Sequence, residues 1–255
     1  MLLATWNVNS VRARRDRLVA WLAKHQPDVL CLQELKIEAS GLEALALEET
    51  GYRLAGNCQR TYNGVAILSK DPLEDVAIGL GDGEDDPQAR FIAATVRGIR
   101  VLCVYVPNGG EVGSDKYEYK LRWLERLRAY LDRNCDPSRP LAICGDFNVA
   151  PEARDVYDPA AMEGDTLFHP ASRAALAKVM DWGLVDAFRI HQDAAGLYSW
   201  WDYRMLGFPK NRGLRIDLIL TTRPLAERVR GGFIDREERK GKLPSDHAPV
   251  VIEIE

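Results

Sequence analysis

The sequence has few cysteines, and no pattern joins them into a site. Its 255 residues include five cysteines, an odd number, with no CxxC pair and no cluster of cysteine with histidine. They are Cys31, Cys58, Cys103, Cys135 and Cys144. A disulfide framework and a zinc site are therefore excluded. Three of the five stand in apolar runs, where a small buried thiol is expected. We predict a reduced, cytoplasmic protein.

The chain also lacks a long hydrophobic run and a strong net charge. No stretch approaches the roughly 18 apolar residues that a membrane span needs, and residues 1–6 do not resemble a signal peptide. We expect a soluble protein with no membrane partner. Lys and Arg number 34 against 38 Asp and Glu, a formal charge of −4. This acid excess argues against a polyanionic ligand unless the basic residues share one surface.

Strand-like and helical patterns alternate along the whole chain. Short β-branched runs predict strands at Leu2–Val8, Asp28–Leu32, Gly64–Leu68, Phe91–Val96, Arg100–Val106, Leu141–Cys144, Arg215–Leu220 and Ala248–Ile254. Apolar residues at helical spacing predict helices at Arg14–His25, Lys116–Leu131 and Ala171–Trp182. The interleaved order indicates an α/β fold. Because no long Gly, Ser or Pro linker divides it, residues 1–255 are predicted to form one domain. Val76–Gln88 is predicted to be an acidic surface loop.

Polar side chains gather at the ends of several predicted strands. They are Asn7 and Asn9, Gln33 and Glu34, Asp146 and Asn148, Asp217, and the pair Asp246 and His247. Any one of these residues alone is commonly a turn cap. Their recurrence is better explained by a shared site, because ligands of open α/β sheets bind where strands end.

The residue types at these strand ends suit a hard metal ion. Converging carboxylates repel one another unless a cation lies among them, and oxygen ligands favour Mg²⁺ or Mn²⁺ over zinc. Asp217 lies in an apolar strand and needs a buried partner, for which His247 is the candidate. Asp246 and His247 would face opposite ways in a regular strand, so Pro244 and Pro249 favour an irregular backbone there. Metal, histidine and amides together indicate phosphoryl chemistry.

Seven short motifs occur in order along the chain. They are Trp6-Asn7-Val8-Asn9, Leu32-Gln33-Glu34, Tyr62-Asn63-Gly64-Val65, Tyr105-Val106-Pro107-Asn108, Gly145-Asp146-Phe147-Asn148, Arg215-Ile216-Asp217 and Ser245-Asp246-His247. Together they resemble the exonuclease III / apurinic-apyrimidinic (AP) endonuclease family of the endonuclease–exonuclease–phosphatase superfamily. The resemblance extends from residue 2 to residue 254. It implies a DNase I-like, four-layer α/β sandwich in which two facing mixed β-sheets are flanked by helices.

The resemblance also implies an activity and its residues. The expected protein is a monomeric, Mg²⁺-dependent DNA-repair nuclease, with Mn²⁺ able to substitute. It would cut double-stranded DNA 5′ to abasic sites and remove 3′ blocking groups or nucleotides from 3′ ends. The implied metal-binding set is Asn7, Glu34, Asp146, Asn148, Asp246 and His247, with Glu34 as the principal ligand. The implied catalytic set is Tyr105, Asp146, Asn148, Asp217 and His247.

The resemblance implies a role for each catalytic residue. Asp146 would activate or orient the attacking water, which Asn148 and Asn7 would hold together with the phosphate. His247, oriented by Asp217, would contact the scissile phosphate. Tyr105 would bind the phosphate or assist the leaving 3′ oxygen.

Loop residues supply the predicted DNA contacts, which are Asn9, Arg12, Lys36, Asn108, Trp200, Leu214 and Ile216. The aromatic loop around Trp200 fits either a small apolar core or a stacking surface for a nucleotide. The resemblance favours a pocket wall for an abasic sugar or terminal nucleotide. Basic residues near these segments are Arg12, Arg14, Arg15, Lys36, Lys210, Arg212 and Arg215, while the acidic loop Asp82–Asp86 is expected to face away from DNA. We predict modest DNA affinity with a shallow salt dependence.

Two other functions fit the same motifs. A superfamily relative could hydrolyse another phosphoester, such as an inositol phosphate, sphingomyelin or RNA. A non-catalytic regulator could retain the fold and bind nucleic acid, as one bacterial catabolite-repression regulator of the superfamily does. The Tyr105–Asn108 stretch and the Trp200 loop favour DNA over the other phosphoesters. The intact Glu34, Asp146 and His247 argue against a regulator.

Overall fold

Two six-stranded β-sheets pack face to face in the computed structural model, which describes residues 1–84 and 86–255. The strands are β1 (Leu2–Asn7), β2 (Val29–Gln33), β3 (Arg53–Asn57), β4 (Val65–Ser69), β5 (Glu74–Ile78), β6 (Phe91–Val96), β7 (Ile99–Tyr105), β8 (Leu141–Asp146), β9 (Leu184–Asp186), β10 (Asp217–Thr222), β11 (Val229–Ile234) and β12 (Val250–Ile254). The helices are α1 (Val11–His25), α2 (Ala39–Glu43), α3 (Asp115–Asn134), α4 (Pro159–Met162), α5 (Pro170–Met180) and α6 (Arg223–Ala226).

Both sheets are mixed, and helical crossovers explain where the long helices lie. The first sheet has the order β11-β12-β1-β2-β4-β3, and the second has the order β5-β6-β7-β8-β10-β9. Strands β1 and β2 are parallel, as are β7 and β8. A parallel pair requires a crossover connection. Helix α1 forms the crossover between β1 and β2, and α3 forms the one between β7 and β8.

Alternating side chains along the strands build three apolar layers. In β2, Val29 and Cys31 face the space between the sheets, whereas Leu30 and Leu32 pack outward with Trp21 of α1. The second sheet packs outward against α3 and α5 through a separate cluster that contains Trp123, Leu127 and Val179. Helices therefore cover the outer face of each sheet. The predicted four-layer α/β sandwich with two mixed sheets is confirmed.

The sequence patterns found the central strands and missed the edges. All eight predicted strands are present, with ends within two residues of the expected positions, and so are the three predicted helices. Strands β3, β5, β9 and β11 were missed because they are short, polar or rich in glycine. The prediction of a loop over Val76–Gln88 is wrong at its start, since β5 extends to Ile78 and pairs with β6. Asp85 of that loop lies outside the described residues.

Parallel pairing brings the polar strand ends together. Asn7 at the end of β1 pairs with Gln33 of β2, and Tyr105 at the end of β7 pairs with Asp146 of β8. Antiparallel β10 begins at Asp217, which is opposite Asp146. Each sheet thus presents its polar residues at one end, and these two ends face each other. Among the described residues, no helix combines the length and apolar character required to cross a membrane.

Gly145, next to Asp146, gives a stability prediction. A Cβ atom at this position would lie 1.9 Å from the carbonyl oxygen of Val104 in the paired strand. We expect Gly145→Ala to lower the free energy of unfolding by about 3 kcal/mol, at the upper end of the usual range for overpacking, because a backbone atom of the sheet must move. Gly231→Ala in β11 is the control, since its Cβ meets no atom within 4 Å. Its effect should stay within about 0.5 kcal/mol. Guanidinium unfolding measures both, and equal effects would contradict the prediction.

Candidate active site

Glu34 is held at the junction of the two sheets by donors on both carboxylate oxygens. Its Oε1 accepts hydrogen bonds from Asn7 Nδ2 and from the Tyr105 hydroxyl, each at 2.9 Å. Its Oε2 lies 2.7 Å from Lys36 Nζ. Because Asn7 ends a strand of the first sheet and Tyr105 ends a strand of the second, Glu34 links the two sheets.

Asp146 lies beside Glu34 and is almost completely buried, with 1% of its surface exposed. Its Oδ2 accepts a hydrogen bond of 2.9 Å from the same Asn7 amide group that binds Glu34. Its Oδ1 accepts the backbone N–H of Asn148, also at 2.9 Å. The side chain of Asn148 donates to the Val106 carbonyl and accepts from Asn108, so its orientation is fixed.

His247 and Asp217 form the predicted buried pair. His247 Nδ1 lies 2.8 Å from Asp217 Oδ2, and its Nε2 lies 3.7 Å from Asp146 Oδ2. The predicted contact between Asp217 and His247 is therefore confirmed. One ring nitrogen is bound to a carboxylate, while the other faces the carboxylate at the centre of the site.

The irregular backbone predicted at residues 245–247 is also present, because β12 begins only at Val250. Ser245 Oγ donates to the Asn7 carbonyl and accepts the His247 N–H. His247 consequently points towards Asp146, and Asp246 points elsewhere. The Asp246 carboxylate accepts Asn9 Nδ2 at 2.9 Å and Trp200 Nε1 at 3.0 Å.

Three side chains meet in the geometry of a metal site. Glu34, Asp146 and His247 each offer a ligand atom, and these atoms lie within 4.8 Å of one another. Asp246 is outside this group, and both of its oxygens accept hydrogen bonds. The predicted metal ligands Asn7 and Asn148 border the group through their bonds to Asp146.

Burial and charge shift the pKa values of this group in different directions. Burial disfavours ionised Glu34, but the Lys36 ammonium group, the Asn7 amide and the His247 charge together outweigh burial and lower the pKa of Glu34. Burial, together with the charges of Asp217 and Glu34, raises the pKa of Asp146 to about 7 against the opposing effect of His247. Burial alone would lower the pKa of His247, yet the Asp217 and Asp146 carboxylates raise it to about 10. His247 is therefore an imidazolium at neutral pH.

Four residues at this end of the molecule have a left-handed backbone conformation. Asn9, Glu34, Lys36 and Asn148 all have φ between 44° and 53°, in the left-handed region. Non-glycine residues adopt it at a cost, and such residues cluster at functional sites.

A pocket of about 290 Å³ is connected to the site through Trp200, which lines the pocket and donates to Asp246. Trp200 and Leu214 line it and pair with each other through two backbone hydrogen bonds of 2.9 Å. Ile216 packs in the same apolar cluster, but it is 2% exposed and does not line the pocket. The motifs did not point to other lining residues, which include Tyr157, Met162, Leu167 and Met205. They come from loops and from the four-residue helix α4, whose sequences carry no periodic signal.

The remaining predicted DNA contacts differ in accessibility. Arg12 and Asn108 are exposed, whereas Lys36 is bound between Glu34 and the Asn9 side-chain oxygen. The expectation that Arg215 adds positive charge near the DNA is wrong. It is fully buried and forms ion pairs with Asp155 and Asp186. In the acidic loop, Asp82 and Asp86 both form ion pairs with Arg126 of α3.

The charge on His247 depends on Asp217, which gives a test by titration. A carboxylate at 2.8 Å stabilises the imidazolium, so the proton leaves only at high pH. In Asp217→Asn, burial disfavours the charge and the pKa of His247 should fall by more than about one pH unit. NMR of ¹⁵N-labelled histidine side chains in the metal-free protein measures this change. Asp186→Asn, which removes a carboxylate bound to Arg215, is the control. An unchanged titration in Asp217→Asn would show that the pair does not set the charge.

Comparison with known proteins agrees with this geometry. The family model described as "Endonuclease/Exonuclease/phosphatase family" matches residues 4–247. Exodeoxyribonuclease III of Haemophilus influenzae is 34% identical over 262 aligned positions, covering 98% of each chain. An AP endonuclease from Archaeoglobus fulgidus superposes with a TM-score of 0.97 at 39% identity, covering 100% of this chain and 99% of that one. The 3′ phosphatase NExo from Neisseria, solved with a product DNA hairpin, gives 0.96 at 39% identity with the same coverage. The chain belongs to the endonuclease/exonuclease/phosphatase family, as its motifs predicted.

Proposed function

We propose that this protein is a Mg²⁺-dependent DNA-repair nuclease of the exonuclease III type. It hydrolyses the phosphodiester 5′ to abasic sites in duplex DNA and removes 3′ blocking groups or nucleotides. The observation that carries the proposal is that Glu34, Asp146 and His247 bring ligand atoms within 4.8 Å of one another, with His247 held by Asp217, near a pocket walled by Trp200. The relatives named above include an AP endonuclease and a 3′ phosphatase, and both activities hydrolyse a phosphoester bond of DNA.

The donor chemistry of the site fits a hard divalent cation. Glu34 and Asp146 supply carboxylate oxygens, and their mutual repulsion contributes to the raised pKa of Asp146. We assign Glu34 as the principal ligand, with Asn7, Asp146, Asn148 and Asp246 around it. His247 could bind a metal only after losing its proton, so its charged form favours a phosphate contact. When bound, Mg²⁺ supplies positive charge that stabilises the phosphate oxygens in the transition state.

Asp146 is the group placed to take a proton from the attacking water. With a pKa of about 7, it binds a proton far more readily than an ordinary carboxylate does, as a general base requires. Asn7 and the Asn148 N–H hold its two oxygens, so the carboxylate cannot rotate freely. The water therefore meets a fixed acceptor, which lowers the entropic cost of reaching the transition state.

We assign His247 and Tyr105 to the phosphate and the leaving group. His247 Nε2 faces the centre of the site with its charge maintained by Asp217, and it stabilises the charge that builds on the phosphate oxygens. Burial and the nearby Glu34 and Asp146 charges raise the pKa of Tyr105, so its phenol stays protonated and can donate. Tyr105 would bind the phosphate or assist the departing 3′ oxygen.

Substrate contacts follow from the surfaces around this centre. The 290 Å³ pocket between Trp200, Leu214 and Met205 suits an abasic sugar or a terminal nucleoside. We assign contacts with the DNA phosphates to Asn9, Arg12, Lys36 and Asn108. Ile216 supports the pocket from the apolar cluster beneath it. We propose that the chain acts as a single-domain monomer in the cytoplasm and binds DNA mainly through phosphates.

The decisive experiment uses an end-labelled duplex with one abasic-site analogue, incubated with Mg²⁺ or with EDTA. Incision 5′ to the lesion in Mg²⁺ alone is the expected result. The same duplex without the lesion, bearing a recessed 3′ end or a 3′ phosphate, measures the 3′ activities. Folded protein that cuts none of these substrates but hydrolyses an inositol phosphate or RNA would contradict the DNA assignment. DNA binding without any hydrolysis would point to a regulator.

A further inference from the structure

Lys120 is a fully buried lysine that the reaction described above does not use. It lies on α3, on a helix face whose neighbours Trp123, Leu124 and Leu127 belong to the apolar core. Its exposed fraction is 0%. Burial lowers the pKa of its ammonium group to about 7, against the charges of Asp146 and Asp165, which raise it. Burying an ammonium group is costly, so a residue of this kind must be stabilised by specific acceptors.

Those acceptors are three backbone carbonyls from three separate loops. Lys120 Nζ donates to the carbonyl oxygens of Asn148 at 2.7 Å, Thr166 at 2.8 Å and Asn108 at 3.1 Å. An ammonium group has three N–H bonds and no acceptor, so this arrangement uses all of its hydrogen-bonding capacity. The three carbonyls lie outside the β-strands and helices, where no regular ladder would satisfy them.

Each of these loops carries a part of the proposed site. The Asn148 peptide donates its N–H to Asp146 Oδ1. The Asn108 side chain donates to Asn148 Oδ1, which connects the first two loops again. Thr166 precedes Leu167, a pocket residue whose carbonyl accepts the Ala150 N–H at 2.7 Å.

The close approach of the lysine stem to one loop depends on a glycine. Gly109 follows Asn108 and has a φ of +94°, a conformation that glycine adopts without strain. A Cβ atom there would lie 2.9 Å from Lys120 Cδ. The loop can therefore approach the lysine stem this closely because residue 109 has no side chain.

We propose that Lys120 is a positioning residue for the hydrolysis. One buried ammonium group fixes three elements at once: the segment that orients Asp146, the Asn108 phosphate contact, and the pocket wall at Leu167. The expected effect on catalysis rests on the proposed function. The connection of the three loops through Lys120 rests only on the three hydrogen bonds of its ammonium group.

The test compares Lys120→Met with Leu127→Ala. Lys120→Met keeps the apolar stem and removes all three donors. Leu127 lies on the same helix, is fully buried and belongs to the apolar core, so Leu127→Ala controls for loss of stability. At a temperature where both variants are folded, we expect kcat on abasic-site DNA to fall at least tenfold in Lys120→Met, since small misplacements at a site can cost about 100-fold. Leu127→Ala should retain the wild-type kcat.

Hydrogen exchange supplies a readout that does not depend on activity. Amides in residues 106–110, 147–150 and 165–168 should lose protection together in Lys120→Met and stay protected in Leu127→Ala. Lys120→Arg, which keeps the charge and donors, should restore part of both kcat and protection. If Lys120→Met does not fold, Lys120→Gln replaces it and should show a smaller effect of the same kind.

The outcomes separate the two proposals. Wild-type kcat and protection in folded Lys120→Met would overturn the positioning role. An equal loss of kcat in Leu127→Ala would assign the effect to stability and also overturn it. If the wild-type protein cuts no DNA, the proposed function fails, and hydrogen exchange still decides whether Lys120 holds the three loops.

Discussion

Asp146→Asn is expected to lower kcat on abasic-site DNA by about 1,000-fold or more, because it removes the proton acceptor that Asn7 and the Asn148 N–H hold in place. The substitution keeps the shape of the side chain and removes one negative charge. DNA affinity should therefore be unchanged or slightly higher, since phosphates are no longer repelled. Single-turnover rates in Mg²⁺ and binding measured by fluorescence anisotropy in EDTA test the two parts separately.

A matched control distinguishes the loss of the base from the loss of a charge. Asp132→Asn makes the same chemical change on the exposed face of α3, where Asp132 pairs with Arg128. It should leave kcat at the wild-type value. The catalytic assignment of Asp146 is wrong if Asp146→Asn retains a rate within tenfold of wild type. A comparable gain of DNA affinity in both variants would instead show that charge alone controls binding.

The pH dependence of the rate should reflect the same carboxylate. Burial raises the pKa of Asp146 to about 7 before any metal binds, and a divalent cation lowers it by favouring the ionised form. A general base must be deprotonated, so activity rises with pH through the pKa of Asp146. Raising the Mg²⁺ concentration should therefore move the acidic limb of the profile to lower pH.

The local sequence was sufficient to predict those site residues that lie at the ends of strands. The end of a parallel strand defines a position on the sheet edge, so Asn7, Glu34 and Asp146 could be grouped from their order alone. The need of Asp217 for a buried partner identified His247, and the contact at 2.8 Å bears this out. Pro244 and Pro249 indicated the irregular turn that lets His247 point inward.

Features made by loops that meet only in three dimensions could not be predicted. Arg215 has the sequence context of a DNA-binding cation, yet Asp155 and Asp186 neutralise it in the interior. The carbonyls that bind Lys120 belong to loops as far as 46 residues away in the chain. Periodicity reports which face of an element is apolar, and it carries no information on which distant loops will pack together. The pocket wall at Tyr157 was missed for the same reason.

Glu34→Gln should raise the Mg²⁺ concentration needed for half-maximal cleavage by about 100-fold or more, since changes even around metal ligands cost 10–100-fold in affinity. The amide keeps the length of the side chain but removes the charge that attracts the ion. The N–H₂ group of the glutamine would also replace one of the two carboxylate oxygens, which accept from Asn7 and pair with Lys36. One hydrogen-bond donor would then face another. Isothermal titration of the metal-free protein with Mg²⁺, together with the Mg²⁺ dependence of the rate, measures this effect.

Two variants locate the effect at the carboxylate itself. Glu38→Gln makes the same change at a position that is 60% exposed and should leave the Mg²⁺ requirement unaltered. Lys36→Met removes a cation 2.7 Å from the same carboxylate, so metal affinity should rise rather than fall while DNA affinity decreases. A Glu34→Gln protein with a wild-type Mg²⁺ requirement would show that Glu34 does not bind the metal. Opposite effects of Glu34→Gln and Lys36→Met on metal affinity would show that the metal and Lys36 compete for the negative charge of Glu34. In that case, binding of the metal would release the lysine side chain towards the DNA.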